Sequence, residues 1–255
     1  MKAGSGSPCL CAIVGEGERM EYNSAIVLAA GRGKRMQSSI PKQYLSLCGR
    51  PVAAWSLEAF EHFDPVSNII LVTSAGEIDY CREEIVKKYG ISKVSRIVAG
   101  GAERYLSVAC GLKALEGSGT DYVFIHDGAR PLIDDALLSR VLSCVRECGA
   151  CVAGMPVKDT IKVVDGEGYA KTTPDRRTLW QVQTPQVFRY SLVREAYGRL
   201  MEKKISSVTD DAMVVETMTD TRVRLVEGSY RNLKITTPED LEAAEIFLKK
   251  NQISC

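Results

Sequence analysis

The chain has 255 residues, 45% hydrophobic and 25% charged, enough to bury a full core around one domain. Lys plus Arg number 33 against 32 Asp plus Glu, a net charge of +1, so no global field draws the protein onto nucleic acid or a membrane surface and any anion binding must be local. Nine scattered cysteines without a C-x-x-C pair, and only two histidines, exclude zinc-ligand spacing and fit a reduced, cytoplasmic protein, while no apolar run approaches the roughly 18 residues that span a bilayer.

Residues 1–22, "MKAGSGSPCLCAIVGEGERMEY", are Gly/Ser-rich and irregular and read as a disordered leader, with Met20 a candidate natural start; "CLCAIV" is too short for a signal-peptide core. Residues 23–255 are expected to form one domain. From Ser24 the apolar runs "AIVLAA", "NIILVTS", "YVFIHD" and "ACVAGMPV" read as strands, mostly continuous rather than alternating, which suits strands covered on both faces. Between them lie helical patterns at Val52 to Phe60, Ile78 to Tyr89, Leu106 to Leu115 and Asp135 to Cys148. This alternation predicts an α/β fold with a mostly parallel sheet and flanking helices. "TIKVV" and "YAKTT" around Asp165-Gly166-Glu167-Gly168 break it and read as a β-hairpin, which alone is marginal in water and must pack on the body or on a second subunit. Lys234 falls in an expected last strand, and "TTPEDLEAAEIFLKK" then reads as a helix with Thr237 as N-cap, Pro238 at N1 and lysines in the last turn.

The loop behind the first strand, "AAGRGKRMQSSIPKQY", carries Gly31, Gly33 and the cations Lys34, Arg35 and Lys42 with hardly a carboxylate near. Loops at the carboxyl ends of strands are where open α/β sheets bind ligands, and glycines let backbone N–H groups approach an anion. The Walker A spacing does not fit, and Met36 stands where a dinucleotide fingerprint needs its third glycine, so a loop suited to several phosphates at once remains beside the plain alternative of a solvated basic loop. In "YVFIHDGARPL", Asp127 ends an apolar strand, where a carboxylate would hold Mg²⁺ against phosphate oxygens or would simply pair with Arg130; His126 reads as a packed, hydrogen-bonded histidine. Gly100-Gly101 leads into a helix that Ser107 helps begin, suited to reading the edge of a base. Arg176, Arg177 and Lys234 matter only if the fold gathers them. No G-x-S-x-G, H-E-x-x-H or Cys/His nucleophile pattern occurs, so covalent catalysis is not indicated; cations plus one metal carboxylate suit phosphoryl or nucleotidyl transfer.

Taken in order from Ser24 to Leu248, "LAAGRGKRM" with "PKQY", then "GGAERYLSV", "HDGARP", "PVKDTIK", "DRRTLWQVQTPQ", "TDDA" and "NLKITTPEDL" resemble the motifs of the 2-C-methyl-D-erythritol 4-phosphate cytidylyltransferase family. The resemblance implies a Rossmann-like nucleotidyltransferase fold with a twisted sheet, and a protruding β-hairpin arm at about 157–177 through which two copies form a homodimer. It implies CTP, Mg²⁺ and a polyol phosphate as ligands. Ala29, Ala30, Gly31, Arg32, Gly33 and Lys34 would wrap the triphosphate, and Gly101, Ala102 and Ser107 would contact cytosine or ribose. Arg35 and Lys42 would stabilise charge at the α-phosphate. Asp127 would sit near the metal and the acceptor with Arg130, Thr160 and Arg176 would come from the partner's arm, and Lys234 would hold the acceptor. Two departures are visible: Ala102 stands where many relatives carry Asp, and Gly128 replaces a commoner Ala with little effect expected. Another acceptor such as ribitol 5-phosphate, or a nucleotide-sensing protein without turnover, stay open as other readings.

Overall fold

In the computed structural model, which describes residues 20–31, 36, 40–203 and 207–253, β1 (Asn23–Leu28) lies near the middle of a seven-stranded sheet. The chain leaves β1 through a small antiparallel pair, β2 (Ser46–Leu47) and β3 (Arg50–Pro51), into α1 (Val52–His62), and returns as β4 (Val66–Thr73) beside β1. It next runs through α2 (Ile78–Tyr80), β5 (Val94–Ala99) and α3 (Arg104–Ala114), then crosses to the other side of β1 as β6 (Tyr122–Asp127). After α4 (Asp135–Cys148) come β7 (Ala150–Pro156), the short strands β8 (Val163–Val164) and β9 (Ala170–Thr172), and β10 (Trp180–Arg189). The helices α5 (Tyr190–Lys203) and α6 (Asp211–Met218), the strand β11 (Arg224–Glu227) and the helix α7 (Pro238–Ile253) complete it.

The sheet order is β11-β7-β10-β6-β1-β4-β5, with β10 antiparallel to both neighbours and every other pairing parallel. The expected mostly parallel α/β sheet is therefore observed. Because β4 and β6 flank β1 on opposite sides, the carboxyl end of β1 is where the strand order reverses, the place such sheets leave a crevice. Alternate strand residues bury on opposite faces. Val27, Leu71 and Phe124 meet α1 and α4 on one face; Ile26, Ile70 and Ile125 meet α3, α5 and α6 on the other. A third cluster joins Met36, Leu47, Val52, Ile235 and Leu248, so the residue that spoils the dinucleotide glycine pattern is a core contact for α7.

Local signals explain several boundaries. Asp134 accepts from the Leu137 N–H at 2.8 Å and Gly149 ends α4 at φ 76°, so that helix spans the residues its apolar stripe foretells. Asp240 takes both the Thr236 and Thr237 N–H groups at 2.9 Å, locking the start of α7. The hairpin forms as expected: β8 and β9 pair antiparallel, and the Asp165 carboxylate accepts from the Glu167 and Tyr169 N–H groups.

Two expectations are corrected. Ile78 to Tyr89 is not one α-helix: α2 stops at Tyr80 and wider π-type turns run over Cys81–Lys87, still burying Cys81 and Ile85, a spacing that does not separate the two helix types. Lys234 is not in a strand. The Arg130 side chain takes the Asn232 carbonyl and the Ile235 N–H goes to the Ala129 carbonyl, so these backbone groups serve loop contacts rather than a ladder. Residues 1–19 of the expected leader lie outside the described residues.

Helix α3 approaches β1 closely because it carries Gly111: a Cβ there would stand 2.6 Å from Ile26 Cγ2 in the fully buried core. Gly111→Ala is expected to lower stability by about 1–3 kcal/mol through overpacking, read by urea unfolding. Unchanged stability would mean that α3 can back away from the sheet.

Candidate active site

A cleft of about 770 Å³ opens at the carboxyl ends of β1 and β6, with Ala30, Gly31, Lys42, Gly101, Ala102, Asp127 and Lys234 among its lining. The "PKQY" turn, residues 41–44, builds one wall with three successive side chains. Lys42 Nζ donates to the Ile235 carbonyl at 2.8 Å, Gln43 Nε2 to the Ala29 carbonyl at 2.5 Å, and the Tyr44 hydroxyl meets Thr73 Oγ1 at 2.6 Å and Glu77 at 3.0 Å. Ala29, an expected ligand contact, is thereby part of the buried wall behind the cleft.

The opposite wall is the Gly100-Gly101-Ala102 loop. A Cβ at Gly101 would stand 2.3 Å from Leu106 Cβ and one at Gly100 2.6 Å from Ser107 Oγ, so the loop lies directly on the first turn of α3. Ser107 lines the cleft but uses its hydroxyl internally, accepting from the Gly101 N–H at 3.2 Å and reaching the Glu103 carbonyl at 3.2 Å. Gly128 packs closely on the end of β1: a Cβ there would meet the Leu28 carbonyl oxygen at 2.9 Å, so the commoner Ala needs the backbone at this point to shift slightly.

Asp127 is the electrostatic centre. Its Oδ1 accepts from Arg104 Nε at 3.1 Å, its Oδ2 lies 2.6 Å from Lys234 Nζ, and Arg130 Nε is 4.0 Å away. Burial works to raise the Asp127 carboxyl, but Arg104, Lys234 and Arg130 together hold it well below the usual carboxylate range. Arg130 is not on the cleft surface; it donates to the Asn232 carbonyl at 2.7 Å and braces the Lys234 segment from behind. His126 is fully buried, as read from the sequence. The Asp127 N–H donates to Thr184 Oγ1 at 3.1 Å, which directs that hydroxyl's proton to His126 Nδ1 at 3.0 Å and leaves Nε2–H to donate to the Arg130 carbonyl at 3.1 Å.

Arg104 was not singled out in the sequence. It lines the cleft, forks both Nη groups onto Asp211 at 2.9 and 2.8 Å, and bridges Asp211 to Asp127. A signal existed: Arg104 is the first residue of α3, where the helix dipole disfavours a cation unless carboxylates attend it. Thr160 and Arg176 do not join the cleft of their own chain. Both are exposed in the segment around the hairpin, and Arg176 Nη1 donates to the Lys158 carbonyl at 3.0 Å. Arg32, Gly33, Lys34 and Arg35 lie outside the described residues.

Among the described residues no cluster of three His, Cys, Asp or Glu side chains is arranged for a metal, and the carboxylates lining the cleft are Asp127 and Glu103. That suits Mg²⁺ shared with ligand phosphates rather than an all-protein cage. The described cysteines are free thiols, and no described helix is long and apolar enough to cross a membrane.

Burial pushes His126 from 6.5 down to about 4. The unfolded chain takes up a proton near 6.5 while the folded protein resists until about 4. Stability is therefore full above that range, falls as pH drops from about 6.5 to about 4, and levels off below, a loss of about 3 kcal/mol. Urea unfolding across this range should show the decline, and His126→Gln should remove most of it; an unchanged slope would assign the decline to other groups.

Residues 24–250 match the family model described as IspD, 2-C-methyl-D-erythritol 4-phosphate cytidylyltransferase. A protein of that name from Lachnospira eligens is 53% identical over 228 residues, covering 89% of this chain and 99% of its own. Another of that name from Lachnoclostridium phytofermentans is 50% identical over 233 residues, covering 91% and 99%. The crystal structure of 4-diphosphocytidyl-2C-methyl-D-erythritol synthase from Anaerococcus prevotii superposes with a TM-score of 0.79 at 32% identity, over 91% of this chain and 100% of that one. Sequence and overall fold thus agree, and the chain belongs to the 2-C-methyl-D-erythritol 4-phosphate cytidylyltransferase family.

Proposed function

We propose that the protein transfers a cytidylyl group from CTP to 2-C-methyl-D-erythritol 4-phosphate, a step of non-mevalonate isoprenoid precursor biosynthesis. The observation that carries this reading is the convergence of Lys42, Lys234 and Asp127 on one cleft beneath the Gly100–Ala102 loop. An oxygen of the acceptor's phosphate attacks the α-phosphorus, the bond from that phosphorus to the bridging oxygen of the β-phosphate breaks, and pyrophosphate leaves. The nucleophile is already an anion at neutral pH, so no general base is needed, consistent with the buried, neutral His126. The obstacle is repulsion between anions and charge gathering at phosphorus. Lys42 and Arg35 oppose it, Lys234 holds the acceptor's phosphate, and the Gly101–Ala102 loop receives the base and ribose. Mg²⁺ held by Asp127 would neutralise charge across phosphate oxygens.

The same reading assigns Thr160 and Arg176 to the site of a second copy. Ile161, Val163, Val164 and Tyr169 are exposed apolar residues in and around the hairpin, a surface that suits burial against another subunit. The cytoplasm is the compartment that fits free thiols.

Pyrophosphate release from CTP and Mg²⁺ should require methylerythritol phosphate and fail with ribitol 5-phosphate; the reverse preference would move the assignment to that acceptor. Lys42→Ala should lose about a hundredfold, mainly in kcat, because it removes one stabiliser of transition-state charge. Arg176→Ala should act mainly on KM for the acceptor, and small, equal effects of both changes would remove these roles. At acceptor concentrations low enough that both variants are nearly silent, mixing them under conditions of subunit exchange should restore about a quarter of native activity, since random pairing gives half heterodimers with one intact site each. No recovery would overturn the assignment of Arg176 to a second copy's site.

A further inference from the structure

Asp211 is a carboxylate with no exposed surface, and it does not line the cleft. Stability alone does not account for it, because burying an ion pair is often no better than an apolar replacement of the same volume. Its surroundings are built with care for direction. Arg104 meets it with two parallel bonds, and the Tyr197 hydroxyl donates to Oδ1 at 2.6 Å. Gln186 Oε1 accepts from the Asp211 and Ala212 N–H groups at 3.0 and 2.9 Å, and Gln186 Nε2 donates to Asp210 at 3.0 Å. Asp210 in turn caps α6 through the Met213 N–H. The start of α6 is therefore fixed to β10, and Asp211 is fixed with it.

All of this converges on one guanidinium. With both Nη groups on Asp211, Arg104 has only its Nε edge turned to Asp127. Burial works against the Arg104 charge, but Asp211 and Asp127 raise its pKa well above the ordinary value, so it is a permanent cation. The fork is geometric, and a lysine, a point charge, cannot reproduce it. The Asp127 oxygen facing Lys234 is not the one Arg104 holds, so Arg104 can keep the carboxylate in place while Lys234 turns to an acceptor's phosphate.

We propose that Asp211, although it touches no ligand, is a positioning residue for the transfer reaction: it aims Arg104 so that Arg104 holds one oxygen of Asp127. This rests on the cytidylyl-transfer reading above. The test is a double-mutant cycle on pyrophosphate release, with melting temperatures of every variant. Asp211→Asn should lower kcat/KM by about 10–100-fold in the native chain, the range for lost partners behind a ligand-holding group. In the Asp127→Asn background it should cost less than threefold, because the group it positions is gone. An equal fold-loss in both backgrounds would overturn the proposal and leave Asp211 a structural residue. Should Asp211→Asn fail to fold, Arg104→Lys, which keeps the charge and loses the fork, is read in the same two backgrounds with the same two outcomes. A native chain inactive with CTP and methylerythritol phosphate would overturn the transfer reading instead, so the two failures are distinguishable.

Discussion

Burying the Asp127 carboxylate at the end of β6 is the constraint around which the cleft is organised. An unpaired charge there would cost far more than the fold can supply, so three cations must reach it from three separate stretches of chain. Arg104 comes from the start of α3, Arg130 from the turn after β6, and Lys234 from the connection before α7. Satisfying one carboxylate thus draws together the parts of the chain that line the site. The positive surplus left over is what a polyphosphate ligand meets.

The sheet and most of its helices were legible because burial on both faces writes continuous apolar runs, and because capping residues such as Asp134 and Gly149 mark their own helix ends. The short hairpin was legible through its Asp-Gly-Glu-Gly turn. The main element misread, Ile78 to Tyr89, failed because an i, i+4 apolar pair buries equally well in α and π turns. Lys234 was misplaced because extended backbone between loops has no periodic signature that distinguishes it from a strand.

Within the site, single-residue chemistry was readable and pair chemistry was not. Asp127 ends an apolar strand before Gly128, and Lys42 follows the glycine loop behind β1 in a cluster of cations, so each drew notice from its local stretch. Asp211 lies 107 residues from Arg104, and only the folded sheet brings α6 against α3. The roles of Gln183 and Gln186 were hidden for the same reason. Gln183 holds the Ser229 carbonyl and Asn232, while Gln186 holds the start of α6, so the short "QTPQ" run braces two remote segments at once.

Ile235 has a consequence of its own. Its N–H is tied to Ala129 and its carbonyl to Lys42, while its side chain is sealed in the cluster under α7. One residue therefore works as a caliper, setting the gap between neighbouring Lys234 and the lysine of the other wall. Adding or removing a single residue between β11 and α7 would shift the jaws by about 3.5 Å. Length variation has to be absorbed elsewhere, and the solvent-facing tip of the hairpin, at Asp165 to Gly168, is a place where the chain can lengthen without moving either jaw.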